Sequence, residues 1–250
     1  MKKIVAFAGF ALLAVGAFAQ TNLQVFYDLG KDRKMVTTTL EMFKGDDWGS
    51  TFFFVDYDYA TKDQRDVNIF GTQSTYMEIE RALNFWQESS LGALSAHVEF
   101  QAGRFGGFST RNWLFGAEYF LHNEDFSNTF TLALLYKLYP NSGAADIPLQ
   151  FSGVWGMQDI FGVEGLRFSG FLDFWGENTT YIHGYDATTL APIDPKDAKF
   201  KLLTEPQIWY NVGQFFNCPN FNLGGEIELS YNFRAEGFVC NPCLGAKWNF

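Results

Sequence analysis

Leu94-Ser95-Ala96-His97-Val98-Glu99-Phe100-Gln101 decides the fold of this chain. Leu94, Ala96, Val98 and Phe100 fall on one face of an extended segment; Ser95, His97, Glu99 and Gln101 fall on the other. A period of two marks a strand that meets a different solvent on each face. Residues 111–121 repeat the pattern, with Trp113, Phe115, Ala117, Tyr119 and Leu121 opposed to Asn112, Leu114, Gly116 and Glu118. So do residues 222–233, where Leu223, Ile227, Leu229, Tyr231 and Phe233 oppose Asn222, Glu226, Glu228, Ser230 and Asn232. A soluble sandwich alternates too, but it does not pair an aromatic-rich apolar face with a charged one over strands this long.

Working outward, the whole chain divides in the same way. The segments are 23–30, 36–44, 49–59, 74–86, 93–102, 111–121, 128–139, 148–158, 165–177, 200–211, 222–233 and 238–250. Twelve such segments predict an all-β fold, a single antiparallel transmembrane β-barrel of about twelve strands. Odd-numbered connections total more residues than even-numbered ones, although the tenth at 212–221 is long for its side. That asymmetry suits long external loops and short periplasmic turns. Two positions strain the register. Arg81 falls on the lipid face unless a bulge near Glu80 turns it inward, and Pro206 requires a bulge or a missing ladder bond.

Composition agrees. Among 250 residues, 19% are aromatic and 18% charged, against roughly 25% charged in an ordinary soluble domain. A mean hydropathy of −0.09 is too polar for a bundle of transmembrane helices, and so many aromatic residues exclude disorder. The formal net charge of −10 argues against nucleic acid as a partner.

Lys2 and Lys3 precede an apolar run from Ile4 to Phe18, and Ala17-Phe18-Ala19 supplies a cleavage pattern. Residues 1–19 therefore read as a signal peptide cut after Ala19, with residues 20–250 forming the outer-membrane barrel. The chain ends on Phe250, preceded by alternating Leu244, Ala246 and Trp248, the kind of terminal strand that barrel-insertion machinery reads. Cys240 and Cys243 lie on opposite faces of a strand about 10 Å apart, too far for a disulfide. They read as ordinary buried cysteines, with Cys218 free.

The polar face carries the candidate chemistry. On strands two to five it offers Glu41, Asp56, Asp58, Glu78, Glu80 and Glu99, without a basic residue unless Arg81 turns inward. Around the rest, Lys137, Arg167, Lys201 and Lys247 alternate with Glu118, Asp173, Glu177, Glu205, Glu226 and Glu228. Phe26, Phe43, Phe52, Phe54, Phe171, Trp175 and Trp209 share this face. One reading is a packed lumen braced by its own charges. The other is a pore with one acidic wall, where rings stack on flat heterocycles and carboxylates accept hydrogen bonds from ribose hydroxyls.

Glu41-Met42-Phe43-Lys44, with Asp47-Trp48 and Asp56, resembles the second and third strands of the nucleoside-specific outer-membrane channel family, the Tsx-like porins. Met77-Glu78-Ile79-Glu80-Arg81 and GFLDFWG at 170–176 resemble it as well, and GAKWNF at 245–250 matches as a barrel-ending strand. VFYDLGKDRK (25–34), LTEPQIWYN (203–211) and GGEIELSYNF (224–233) are more similar to an uncharacterised exported subgroup. The resemblance implies a monomeric twelve-stranded barrel with a narrow, aromatic and ionisable channel for nucleosides. It carries over Glu41, Phe43, Asp56, Glu78 and Glu80 as lining residues. The inward pattern adds Phe52, Phe54, Glu99, Phe171, Asp173 and Trp175.

The expectation is a diffusion channel for small polar solutes, with no cofactor, no metal and no chemistry of its own. Two rival classes stand beside it. A closed structural or adhesive barrel would use residues 178–199 as its contact loop. A barrel hydrolase would need a rim histidine, and His183 with Asp186 nearby is the one such pair, because His97 faces the lumen and His122 lies at the periplasmic end.

Overall fold

The computed structural model describes residues 20–31, 33–105, 108–140 and 143–250, so the signal peptide expected over 1–19 lies outside the described residues. The strands are β1 (Gln20–Asp28), β2 (Val36–Asp46), β3 (Gly49–Tyr59), β4 (Thr72–Leu83), β5 (Leu94–Phe105) and β6 (Phe108–His122). They continue as β7 (Asn128–Leu138), β8 (Leu149–Met157), β9 (Leu166–Tyr181), β10 (Lys196–Thr204), β11 (Gln207–Tyr210), β12 (Phe221–Tyr231) and β13 (Phe238–Asn249). Each pairs antiparallel with its neighbours, and β13 pairs with both β12 and β1. The sheet therefore closes on itself and leaves no edge strand to be covered.

β10 and β11 are two halves of one barrel strand, so the barrel has twelve staves. Thr204 sits opposite Leu172 and Gln207 opposite Ser169, with Glu205 and Pro206 between them. Pro206 has no N–H to give, but its carbonyl accepts from Ile227 N at 3.1 Å. On the facing strand Gly170 holds φ +153°, and a Cβ there would lie 2.5 Å from Glu205 O. Glycine at 170 is what lets the interrupted strand approach.

Arg81 takes the first of its two expected placements. The β3–β4 register runs unshifted from Gly49↔Leu83 to Asp58↔Ser74, so no bulge turns the side chain inward. Arg81 stays on the outer face, two residues from the end of β4, and makes a bidentate pair with Asp46 at 2.7 Å to each oxygen. Near the rim of the barrel this guanidinium meets a carboxylate, and a long side chain there can keep its charged head at the interface.

Loop lengths shift where pairing continues. β9 and β10 pair out to Tyr181↔Lys196, so the connection expected at 178–199 shrinks to 182–195. β5 and β6 pair to Phe105↔Phe108. By contrast β4 ends at Leu83, because the Asn84 side chain accepts from Trp86 N at 3.1 Å and opens a turn. The connection between β3 and β4 carries a short helix, α1 (Lys62–Asp66), capped by Thr61 and Gln64.

Outward side chains form an exposed apolar belt, including Leu23, Val25, Leu40, Ile79, Phe115, Leu134, Phe151, Phe174 and Ile227. Tyr27, Tyr57, Tyr136, Tyr231 and Trp113 ring one end of it, and Tyr119 and Trp248 stand toward the end that carries both termini. An apolar band between aromatic girdles is built for lipid, and in water it would be a large aggregation-prone surface.

Candidate functional site

The alternation that turns apolar residues outward turns every sequence-predicted site residue into the lumen. Register links them across four strands. Glu41 faces Phe54, and Phe43 faces Phe52. Phe52 faces Glu80, Phe54 faces Glu78, and Asp56 faces Tyr76. Glu80 in turn sits directly opposite Glu99. Among the described residues of β2 to β5, no lysine or arginine points inward, as the register requires.

Rings climb this wall. Phe52 and Phe54 have centroids 6.1 Å apart, Phe54 and Tyr76 5.9 Å, and Tyr76 and Phe105 6.0 Å. The ladder runs from near the terminal end of the lumen to its opposite mouth. Sequence reasoning named its first two rungs and missed the others. Tyr76 was legible, two residues before Glu78 on the same face. Phe105 lay beyond the predicted end of its strand at 102.

Beside the rings the carboxylates are held by neutral donors. Asn22 Nδ2 donates to Glu41 at 2.9 Å, and Thr39 Oγ1 to Asp56 at 2.6 Å. Gln101 Nε2 reaches Glu99 at 2.6 Å and Glu78 at 3.1 Å, and the Tyr76 hydroxyl also donates to Glu78. His97 Nδ1 meets Glu118 at 2.6 Å. Glu41, Asp56, Glu78 and Glu80 remain half-buried, open to water, whereas Glu99 is 4% exposed.

The opposite wall holds its own cations. Phe171 and Asp173 face inward beside Val154 and Ser152, and both are half-buried. Trp175 points inward too, but it is 5% exposed and wedged between Lys137, 4.8 Å over its ring, and Phe233, edge-on at 5.6 Å. It braces the wall. Lys201 pairs with Glu177 at 2.7 Å, and Lys247 lies 4.1 Å over Trp209. Phe233 was assigned to the outer face from its position in the alternation. Instead Asn232, at φ 53°, turns the chain, and Phe233 goes inside.

Two connecting segments lean into the mouth opposite the termini. Arg33, between β1 and β2, pairs with Asp28 and Glu228 at 2.5 Å each. Burial works against its charge, but Glu228 and Asp28 hold the guanidinium protonated beyond its ordinary range. Arg234, between β12 and β13, reaches across to the Phe105 ring at 5.5 Å. The rim pair proposed for hydrolysis does not assemble. His183 Nε2 bonds Glu236 at 2.7 Å, and Asp186 caps its own turn by accepting from Thr188 N and Thr189 N. The cysteines are all free. Cys243 is buried in the lumen wall, but Cys240 is exposed on the outer face, not buried as expected.

A closed antiparallel barrel with a lipid-facing belt and a polar, ionisable lumen is the architecture of a transmembrane β-barrel. The NanC porin shares the fold with a TM-score of 0.53 at 9% identity, over 92% of this chain and 100% of that one. The KdgM porin aligns with a TM-score of 0.46 at 8% identity, over 92% of this chain and 99% of that one. No curated protein matches the sequence. The chain belongs to the family described as a domain of unknown function, DUF5020, whose model matches residues 19–250.

Proposed function

We propose that this protein is a monomeric outer-membrane diffusion channel for small polar solutes, and that it prefers neutral and cationic ones. The observation that carries the reading is the wall built by β2 to β5. There Glu41, Asp56, Glu78 and Glu80 face water with no inward lysine or arginine among the described residues of those strands. Such a wall concentrates cations and repels anions, and it acts most strongly where the lumen is narrow and the local dielectric low. Transport would need only a concentration gradient.

Nucleosides are the solute class that fits best. A base stacks on an aromatic ring for ~1–3 kcal/mol whatever its identity. The ladder of Phe52, Phe54, Tyr76 and Phe105 spaces such rings about 6 Å apart, near enough for handover from one to the next. Carboxylates alongside accept from ribose hydroxyls. Several weak sites in series favour transit over capture.

A closed structural barrel is the second reading. It is favoured by the near-complete burial of inward residues such as Gln24, Leu114, Leu135 and Gln150, and by Arg33 and Arg234 at the mouth.

Single-channel conductance of the purified protein in a planar bilayer separates the two, with adenosine, thymidine and glucose titrated in turn. Small cation-selective steps blocked by nucleosides and not by glucose are expected. Equal block by glucose would remove the nucleoside assignment. A folded barrel that passes no current would be a plugged one.

A further inference from the structure

His97 is the most tightly enclosed ionisable ring in the lumen, 4% exposed, and it has one nitrogen to spare. Its neighbours across the sheet are Ala82 on β4 and Gly116 on β6, so small side chains flank the imidazole on both sides. Nδ1 is fixed by Glu118 Oε2 at 2.6 Å. Nε2 is buried and makes no hydrogen bond. It points toward Glu99 Oε2 at 3.5 Å and Glu80 Oε2 at 4.0 Å, too far or too poorly aligned to bond either.

The two carboxylates need an explanation of their own. Glu80 and Glu99 are directly opposite in the β4–β5 register, where like charges repel. Among the described residues, no lysine or arginine forms an ion pair with Glu80, Glu99 or Glu118. The inward Lys137 gives its ammonium to Gln150 at 3.0 Å and to the Trp175 ring. Gln101 holds Glu99 by the other oxygen, Oε1, which leaves Oε2 turned toward the imidazole.

We infer that His97, Glu80 and Glu99 bind a divalent first-row transition-metal ion in the barrel wall, with Glu118 as the positioning residue behind the imidazole. One donor atom from each of the three lies within 4.8 Å of the others. A tetrahedral ion with bonds of ~2.0–2.1 Å sets its ligand atoms about 3.3 Å apart, so a small inward movement of Glu80 closes the site. With its Nε2 proton released as the ion binds, the imidazole and the two carboxylates balance a divalent charge. The nitrogen donor selects zinc-like ions over calcium and magnesium, which take oxygen alone. A carboxylate on the far nitrogen of a ligating histidine is the arrangement that fixes its tautomer and raises its basicity. Glu80 is the more accessible ligand, its side chain 26% exposed, and gives the ion a way in from the lumen. The fourth position is left to water. This site stands independently of whether the barrel conducts.

The test uses the full barrel, purified in detergent and stripped of metal with a chelator. Zn2+ affinity is read by competition with a chromophoric chelator, Co2+ by its visible spectrum, and the zinc-loaded protein by X-ray absorption. One Zn2+ per chain is expected, with one imidazole in its coordination shell and Ca2+ binding at least 100-fold weaker. Glu80→Gln, on the accessible side of the site, should weaken binding while the barrel keeps its heat-modifiable gel mobility. Glu118→Gln should weaken Zn2+ by about 10–100-fold and leave the ligand count unchanged. His97→Gln should abolish the Co2+ spectrum, whereas Glu236→Gln on the external turn should leave it intact. Absence of a zinc site, a shell without imidazole, or Ca2+ binding as tightly as Zn2+ would overturn the assignment. The last result would identify a diffuse acidic lumen.

Discussion

Two stretches of the same lumen wall solve the barrel's interior in opposite ways. Where β11, β12, β13 and β1 meet, one register row reads Trp209, Gly224, Gly245, Phe26. The two glycines leave room for the rings, which sit with centroids 5.6 Å apart and tilted by 55°, and Trp209 ends 1% exposed. Across β3, β4 and β5 the corresponding row reads Phe52, Glu80, Glu99, with the carboxylates left facing each other. The first row is packing: apolar contact closes the barrel where its ends join. The second sets two carboxylates against each other, with Gln101 holding Glu99 and the His97 imidazole 3.5 and 4.0 Å away. The first row serves stability, and on the proposed function the second would serve selectivity.

That division can be broken from either side. The largest effect is expected at Gly224→Val. A Cβ there would sit 2.0 Å from Ile208 O and 2.8 Å from the Trp209 ring, a backbone clash that no rotamer relieves. The barrel should fail to close, seen as loss of heat-modifiable mobility. Trp209→Ala should permit folding but cost ~3–5 kcal/mol, read from the urea midpoint. Glu78→Gln with Glu80→Gln should do the reverse. The midpoint should hold or rise, since a repulsive pair is relieved, while cation preference in reversal-potential measurements drops severalfold. Unchanged ion selectivity would sink the acidic-wall reading. At Arg81→Ala the bidentate tie to Asp46 is lost at the rim, where charge is cheap, so a change within ~1 kcal/mol is expected.

The smallest effect concerns the external loops. Lys196 first, and then His183, hold the Glu236 carboxyl below its ordinary value. A depressed carboxyl stabilises its ties above the unfolded value of about 4.3 and loses them as pH falls through the lower folded one. Proteolysis within 182–195 should therefore stay slow at neutral pH and accelerate only in acid below about pH 4. Equal rates at both would mean that Glu236 does not tether this loop.

Much of this was legible in the chain. A period of two sorts each strand into an inner and an outer face without reference to its neighbours, so Glu41, Phe54, Glu78 and Asp173 were named as lumen residues from local pattern alone. Pro206 announced its own interruption, because a residue without an N–H breaks any ladder. Arg81 was left between two placements because depth along the barrel depends on where β4 ends, and that is set by the turn at Asn84. Phe233 was misjudged because one left-handed residue, Asn232, reverses the alternation.

The sequence by itself determined the barrel, its approximate staves, the lipid-facing belt and the acid-rich inner face, because these follow from side-chain alternation, a property of each strand taken singly. Only the tertiary structure decided which inward residues meet. His97, Glu80, Glu99 and Glu118 come from β4, β5 and β6, and Trp209 reaches Phe26 over two intervening strands. Those meetings depend on inter-strand register and barrel curvature, which are fixed by hydrogen bonds among all the staves at once and written in none of them separately.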